Sequence, residues 1–169
     1  SIFKLVFQDG RPTRARLNQL RGNWAVIEFA TSWQDGHFVF YRDQKVSSDL
    51  DLDCILKLPL DVLLMDGAIN RDIISKVISG LPKGRKSVLK KVPNFFERWT
   101  KASQPDLEYF DGTSITREDK MLITRLAMDY LIGIFNIEQV IQFFNEWPEC
   151  QILKAIQLLL DNELIEVVS

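Results

Sequence analysis

The side chains able to do chemistry are few and scattered. His37 is the single histidine, and Cys54 and Cys150 are the two cysteines. One imidazole and two distant thiols cannot supply the four ligands of a structural zinc site. Both cysteines lie in apolar-rich segments and read as buried free thiols of a reducing, cytoplasmic compartment. Asp49, Asp51 and Asp53 echo the opening of a calcium loop. That loop needs Gly at its sixth position and Glu at its twelfth, where Cys54 and Leu60 stand instead. Asp53 and its neighbours are better suited to capping a helix.

Other constellations fail on context. Gly80 and Gly84 lack the strand-to-helix setting of a phosphate-cradling loop. No serine sits in a nucleophile elbow. Glu118 and Asp119 fall on the polar face of an expected helix. His37 occupies a turn, with no second imidazole or paired thiolate beside it. The expectation is a protein without catalytic residues, metal or cofactor.

One charged group remains. Lys83, Arg85, Lys86, Lys90 and Lys91 crowd the stretch between Gly80 and Pro93. A run of this kind reads first as a solvated loop and second as a docking patch for an acidic partner. No aromatic residue interleaves the cations, which weakens a nucleic-acid reading.

The elements that would carry these residues follow from periodicity. Ile2–Phe7 and Arg11–Leu17 read as strands joined by the Asp9-Gly10 turn. Thr13, Ala15 and Leu17 share one face, and Arg14 and Arg16 the other. Pro12 suggests an edge position, or a first residue outside the ladder. A helix from Gly22 to about Trp33 carries Ala25, Val26, Phe29, Ala30 and Trp33 as one apolar stripe. Asp35-Gly36 then turns the chain into a strand, Phe38–Tyr41. Trp33, Phe38 and Phe40 are expected to be buried and to hold the helix onto the sheet. Leu60–Ile78 reads as a helix with a broad apolar face at Leu63, Leu64, Ile69, Ile73, Ile74 and Val77. Gly67 within it is tolerable if a neighbouring element packs closely there. A short helix is expected over Phe95–Ala102.

Three helices and a strand fill the last 64 residues. Thr116 caps the first, with Asp119 three residues on as a near capping box, and that helix continues to Leu131. Asn136 caps the second, Ile137–Trp147. The third is Glu149–Leu160, and Leu164–Val168 closes as a strand. The order is that of a winged helix lacking much of its wing.

The chain has 169 residues, room for one domain or two small ones. Its net charge of -2 is uneven. Residues 1–105 carry 17 Lys and Arg against 11 Asp and Glu, and residues 106–169 carry 4 against 12. With Ser103-Gln104-Pro105 as the boundary, the expectation is α+β: a small antiparallel sheet with packed helices over 1–105, then an acidic, mostly helical, winged-helix-like unit over 106–169. Acidity in that second unit argues against duplex DNA, because phosphate neutralisation dominates such binding. No apolar run reaches the roughly 18 to 20 residues of a membrane span.

Several segments together resemble a known family. Phe7–Ala15 is similar to its "yF-x-x-G" hairpin, and Arg21–Val26 to its helix start. Trp33, Gly36, Phe38 and Phe40 match "W-x-x-G-x-F-x-F". Leu63–Asp72, with Gly67 and Ala68, looks like its "LL-x-(E/D)-G-A" helix. In this order they resemble the PATAN domain of cyanobacterial and other bacterial response regulators, and the tail resembles the winged-helix-like segment that follows it. Two departures stand out. The amino-terminal half of the family pattern is missing, and the Arg after Gly-Ala is shifted by one, to Arg71. The resemblance implies a non-enzymatic adaptor of two-component signal transduction, serving motility, phototaxis or cell patterning through protein partners. The alternative is a nucleic-acid-binding regulator using the basic stretch or the winged helix. An open sheet edge would also offer a pairing site for a homodimer.

Overall fold

A computed structural model of the chain describes residues 2–42, 50–102, 109–110, 113–114 and 116–168. The architecture is α+β. The chain divides into two compact units, one of residues 1–74 with 145–150, the other of residues 75–144 with 151–169.

The first unit is built on strands β1 (Phe3–Gln8), β2 (Arg11–Leu17) and β3 (Leu20–Arg21) and helix α1 (Asn23–Ser32). The strands form one antiparallel sheet in the order β1-β2-β3. Asp9 and Gly10 both adopt positive φ, as the expected tight turn requires. The register sets Phe3 opposite Leu17 and Leu5 opposite Ala15. These residues therefore share a face, and α1 packs on it through Ala25, Val26 and Ile27. Phe29 stacks on Phe3 at 4.1 Å between ring centroids.

Helix α2 (Leu60–Ser79) begins in this unit and buries Leu63 and Gly67. The segment before it is laid along β2. Ile55 bridges to Arg14, Leu56 N–H donates to the Thr13 carbonyl at 2.9 Å, and Arg14 donates to the Leu50 carbonyl at 2.7 Å. Gly22 makes room for this segment. Its φ is 56°, and a Cβ there would lie 2.8 Å from the Ile55 carbonyl oxygen.

The second unit contains β4 (Val88–Lys91), α3 (Phe95–Ala102), β5 (Tyr109–Phe110), β6 (Thr113–Ser114), α4 (Arg117–Asp129), β7 (Ile132–Asn136), α5 (Ile137–Phe143) and β8 (Ile165–Val167). Helix α6 (Glu149–Asp161) lies mostly within it. Its sheet runs β7-β4-β8, antiparallel throughout. Buried residues include Leu89, Phe95, Trp99, Leu122, Leu126, Phe144 and Ile156. Both predicted caps form as reciprocal boxes, Thr116 with Asp119 and Asn136 with Gln139. Arg98 closes the far end of α6, donating to the Asn162 and Glu163 carbonyls at 2.8 and 2.9 Å.

The structure departs from the sequence reading in several places. The boundary expected at 105/106 does not separate the compact units, because β4 supplies the central strand between β7 and β8. Ser103-Gln104-Pro105 itself lies outside the described residues. The helix sequence resembles a winged helix, but the middle strand comes from upstream of the helices, not from a hairpin after them. Helix α4 stops at Asp129, and β7 begins at Ile132, with Gly133 inside it at φ 82°. Helix α5 ends at Phe143 rather than Trp147. Strand β2 is central, and Pro12 sits at its start beside a register shift between Val6 and Phe7.

The strand expected over Phe38–Tyr41 is not formed. A short strand is stable only within a sheet, and among the described residues Phe38–Tyr41 pairs with no strand. Phe38 and Phe40 are consequently exposed instead of buried, and Trp33 is 52% exposed.

Candidate functional site

The five basic residues do not form one patch. Lys83, Arg85 and Lys86 surround a 3-10 turn over Gly84–Lys86, which packs against α5. Ser87 is buried behind it, its hydroxyl accepting from Lys83 N–H at 3.1 Å. Lys90 and Lys91 are neighbours in β4 and so point to opposite faces of the sheet. Lys90 pairs with Glu166 across to β8 at 3.0 Å. The Lys91 ammonium sits 5.0 Å from the centre of the Phe96 ring. Lys83 and Lys86 remain exposed.

This pairing changes the charge picture. Grouped by compact unit, the second unit holds 12 Lys and Arg against 11 Asp and Glu, and the first holds 9 against 12. The steep acid–base split along the chain nearly vanishes, because folding brings the basic stretch into the sheet of the acidic tail. The charge argument against duplex DNA loses its force with it. Geometry supplies a different one. From Gln151 through Leu160, α6 presents no fully exposed side chain. A recognition helix must offer several to base edges.

The acidic segment before α2 has a structural role. The Arg21 guanidinium lies 3.1 Å from the Asp51 carboxylate and 3.3 Å from that of Asp53. Neither aspartate caps a helix through its side chain, as had been expected; Asp51 precedes a 3-10 turn without such a bond. Asp49 lies outside the described residues. Cys54 is buried, and its thiol donates to Asp51 Oδ1 at 3.5 Å. Burial pushes the thiol pKa up, and the Asp51 hydrogen bond and charge push the same way. Cys150 is also a buried free thiol. His37 is exposed. Among the described residues, no group of three His, Cys, Asp or Glu side chains is placed to hold a metal ion.

The most distinctive surface of the first unit is apolar. On α2 the residues at Leu63, Gly67 and Asn70 are buried, which turns the opposite side outward. That side carries Val62, Met65 and Ile69, spaced three and four apart, with Met65 68% exposed. Leu64 and Ala68 are exposed beside them. Leu64 and Ile69 had been expected in the core. The helix is apolar nearly all round here, so hydrophobicity alone does not choose the inner face. Gly67 was the available signal, since a glycine in a helix marks where another backbone comes close. The second apolar surface is the run Phe38-Val39-Phe40-Tyr41, in which Phe38 is 94% exposed.

Arg71 holds the junction between α1 and α2. Its guanidinium donates to the carbonyls of Ala30 at 2.7 Å, Thr31 at 3.1 Å and Trp33 at 3.4 Å. These are carbonyls that a helix end leaves without intrahelical partners. Arg71 is therefore a cap on α1.

No described helix is long and apolar enough to cross a membrane. Comparison with protein-family models, with curated proteins and with solved structures finds no match.

Proposed function

We propose that this chain is a non-enzymatic protein-interaction module, an adaptor in bacterial signal transduction. The observation that carries the reading is the outward apolar face of α2, with Val62, Met65 and Ile69 exposed along one side. Contiguous exposed apolar surface of this kind marks interaction sites. The ordered segments resembling a PATAN domain support the signalling context, with outputs such as motility, phototaxis or cell patterning. Lys83 and Lys86 stand exposed on their turn in the second unit and suit an acidic surface on a partner. The buried character of α6 speaks against the nucleic-acid alternative.

The test is quantitative crosslinking and capture from the native cytoplasm, comparing the natural chain with Met65→Asp/Ile69→Asp. Both positions are exposed, so the variant should keep its fold while losing the captured protein. Retention of the same partner at equal yield would remove the α2 face from the proposal. Tight binding to duplex DNA with a steep salt dependence would overturn the adaptor reading itself.

A further inference from the structure

We propose that the first unit forms a closed homodimer by strand exchange, in which Phe38–Tyr41 of each chain docks on the open edge of β1 in the other. The proposal stands apart from the adaptor reading and uses a different surface. Three observations converge on it.

The first is the edge. Strand β1 pairs with β2 alone among the described strands, while the far side of β2 is occupied by β3 and Ile55. The outer backbone groups of β1 are thus a template for one further strand. The second is the segment. Phe38-Val39-Phe40-Tyr41 carries no charge, has strong β propensity and lies exposed at every position. The third is an unfinished aromatic layer beside that edge. Phe3 stacks on Phe29 and Phe29 on Trp33 at 5.5 Å, yet Phe3 is only half-buried and Trp33 is exposed.

Side-chain alternation makes these fit. On β1, Phe3 and Leu5 face α1, and Lys4 and Val6 face away. A strand added at this edge places Phe38 and Phe40 beside Phe3 and Leu5, extending the aromatic layer. Val39 and Tyr41 then fall on the side of Lys4 and Val6. Among the described residues, the first unit thus offers both the outer edge of β1 and an unpaired segment suited to it. Reciprocal exchange between two copies engages both at once through one self-complementary contact, which is the closure condition of an isologous dimer. Buried aromatic side chains remove about 150–250 Å² each. Two from each copy, Phe38 and Phe40, with the surfaces they cover, come to roughly 1,200–2,000 Å², the size of a stable interface.

Sedimentation velocity on the full chain across a concentration series should show a monomer–dimer equilibrium. Phe38→Ser/Phe40→Ser should weaken it about a hundredfold, as loss of buried aromatic anchors does, with thermal stability of the monomer unchanged. Mixing a Lys4→Cys chain with a Val39→Cys chain under mild oxidation should give a disulfide-linked pair, because the natural Cys54 and Cys150 are buried. The proposal is overturned by a chain that stays monomeric throughout. A dimer indifferent to the serine double variant overturns it equally. So does a Lys4→Cys/Val39→Cys chain that closes its disulfide within one monomer, which would make the chain's own segment the occupant.

Discussion

Gly67 stands so close to Ala30 that a Cβ on the glycine would overlap the Ala30 methyl and lie 3.0 Å from the Ile27 carbonyl oxygen. The Thr31 hydroxyl uses this proximity, lying 2.7 Å from the Ile27 carbonyl and 3.2 Å from that of Gly67. Alanine at position 67 gains about 1 kcal/mol of helix propensity. Overpacking against backbone costs roughly 1–3 kcal/mol. The atoms in the way belong to the α1 main chain and an alanine, which cannot swing aside. Gly67→Ala should therefore lower the denaturant midpoint, and Gly67→Leu should lower it further. An unchanged or raised midpoint for Gly67→Ala would mean that α1 and α2 do not approach here.

Arg71 should matter through α1, not through its own helix. Arg71→Ala removes the charge that sits on the Ala30, Thr31 and Trp33 carbonyls. A cation at a helix C-terminus stabilises by about 0.3–1 kcal/mol. The expected result is a modest stability loss with faster amide exchange near the end of α1. Arg71→Lys should recover part of it, since one ammonium cannot fork across three carbonyls. Exchange that accelerates equally along α2 would sink the capping role.

Cys54 gives the fold a pH dependence on the alkaline side. Its folded pKa is raised by burial and by Asp51, so the native state holds the thiol proton to higher pH than the unfolded chain. The unfolded chain releases that proton above about pH 8.5. Stability is therefore full below that pH and declines as pH rises through it. Cys54→Ala should flatten this decline. Native Cys54 should also resist alkylation at pH 8 until the first unit opens, which mass spectrometry of the labelled peptide would read out.

Trp33 should tolerate truncation better than its size suggests. At 52% exposure it has only part of its surface to lose, and about 1 kcal/mol is the expected cost of Trp33→Ala, near the centre of the distribution for point changes. Phe144 is 1% exposed. Phe144→Ala should cost roughly 3–5 kcal/mol, the range for buried aromatic truncation. Calorimetry on both variants separates the cases. Equal destabilisation would place Trp33 in the core after all.

Local signals in the sequence transferred well to the structure. The Asp9-Gly10 turn, the Thr116 and Asn136 caps and the extents of α2 and α3 each depend on residues a few positions apart, and each appears where those residues lie. What was illegible depends on distant partners. Val88–Lys91 looks like a basic loop because two of its four residues are lysines; it becomes a strand only because β7 and β8 flank it from 40 or more positions downstream. Ile132–Asn136 is short and contains Gly133, so nothing local distinguishes it from a helix end. Phe38–Tyr41 fails in the opposite sense. It has the alternation of a strand, but within one chain no ladder receives it. On α2 the apolar residues outnumber the places in the core, and the choice of inner face rests with Gly67.

The placement of β4 bears on how this chain could be cut or recombined. The chain passes between its two compact units at 74/75, 144/145 and 150/151, so no single break in the polypeptide releases either one whole. A fragment beginning at residue 106 keeps β7 and β8 but has nothing to bridge them. Such a piece would gain its sheet only on meeting a peptide that carries Val88–Lys91. Each unit thus draws on stretches that are not adjacent in the chain, and neither could be moved as one uninterrupted segment.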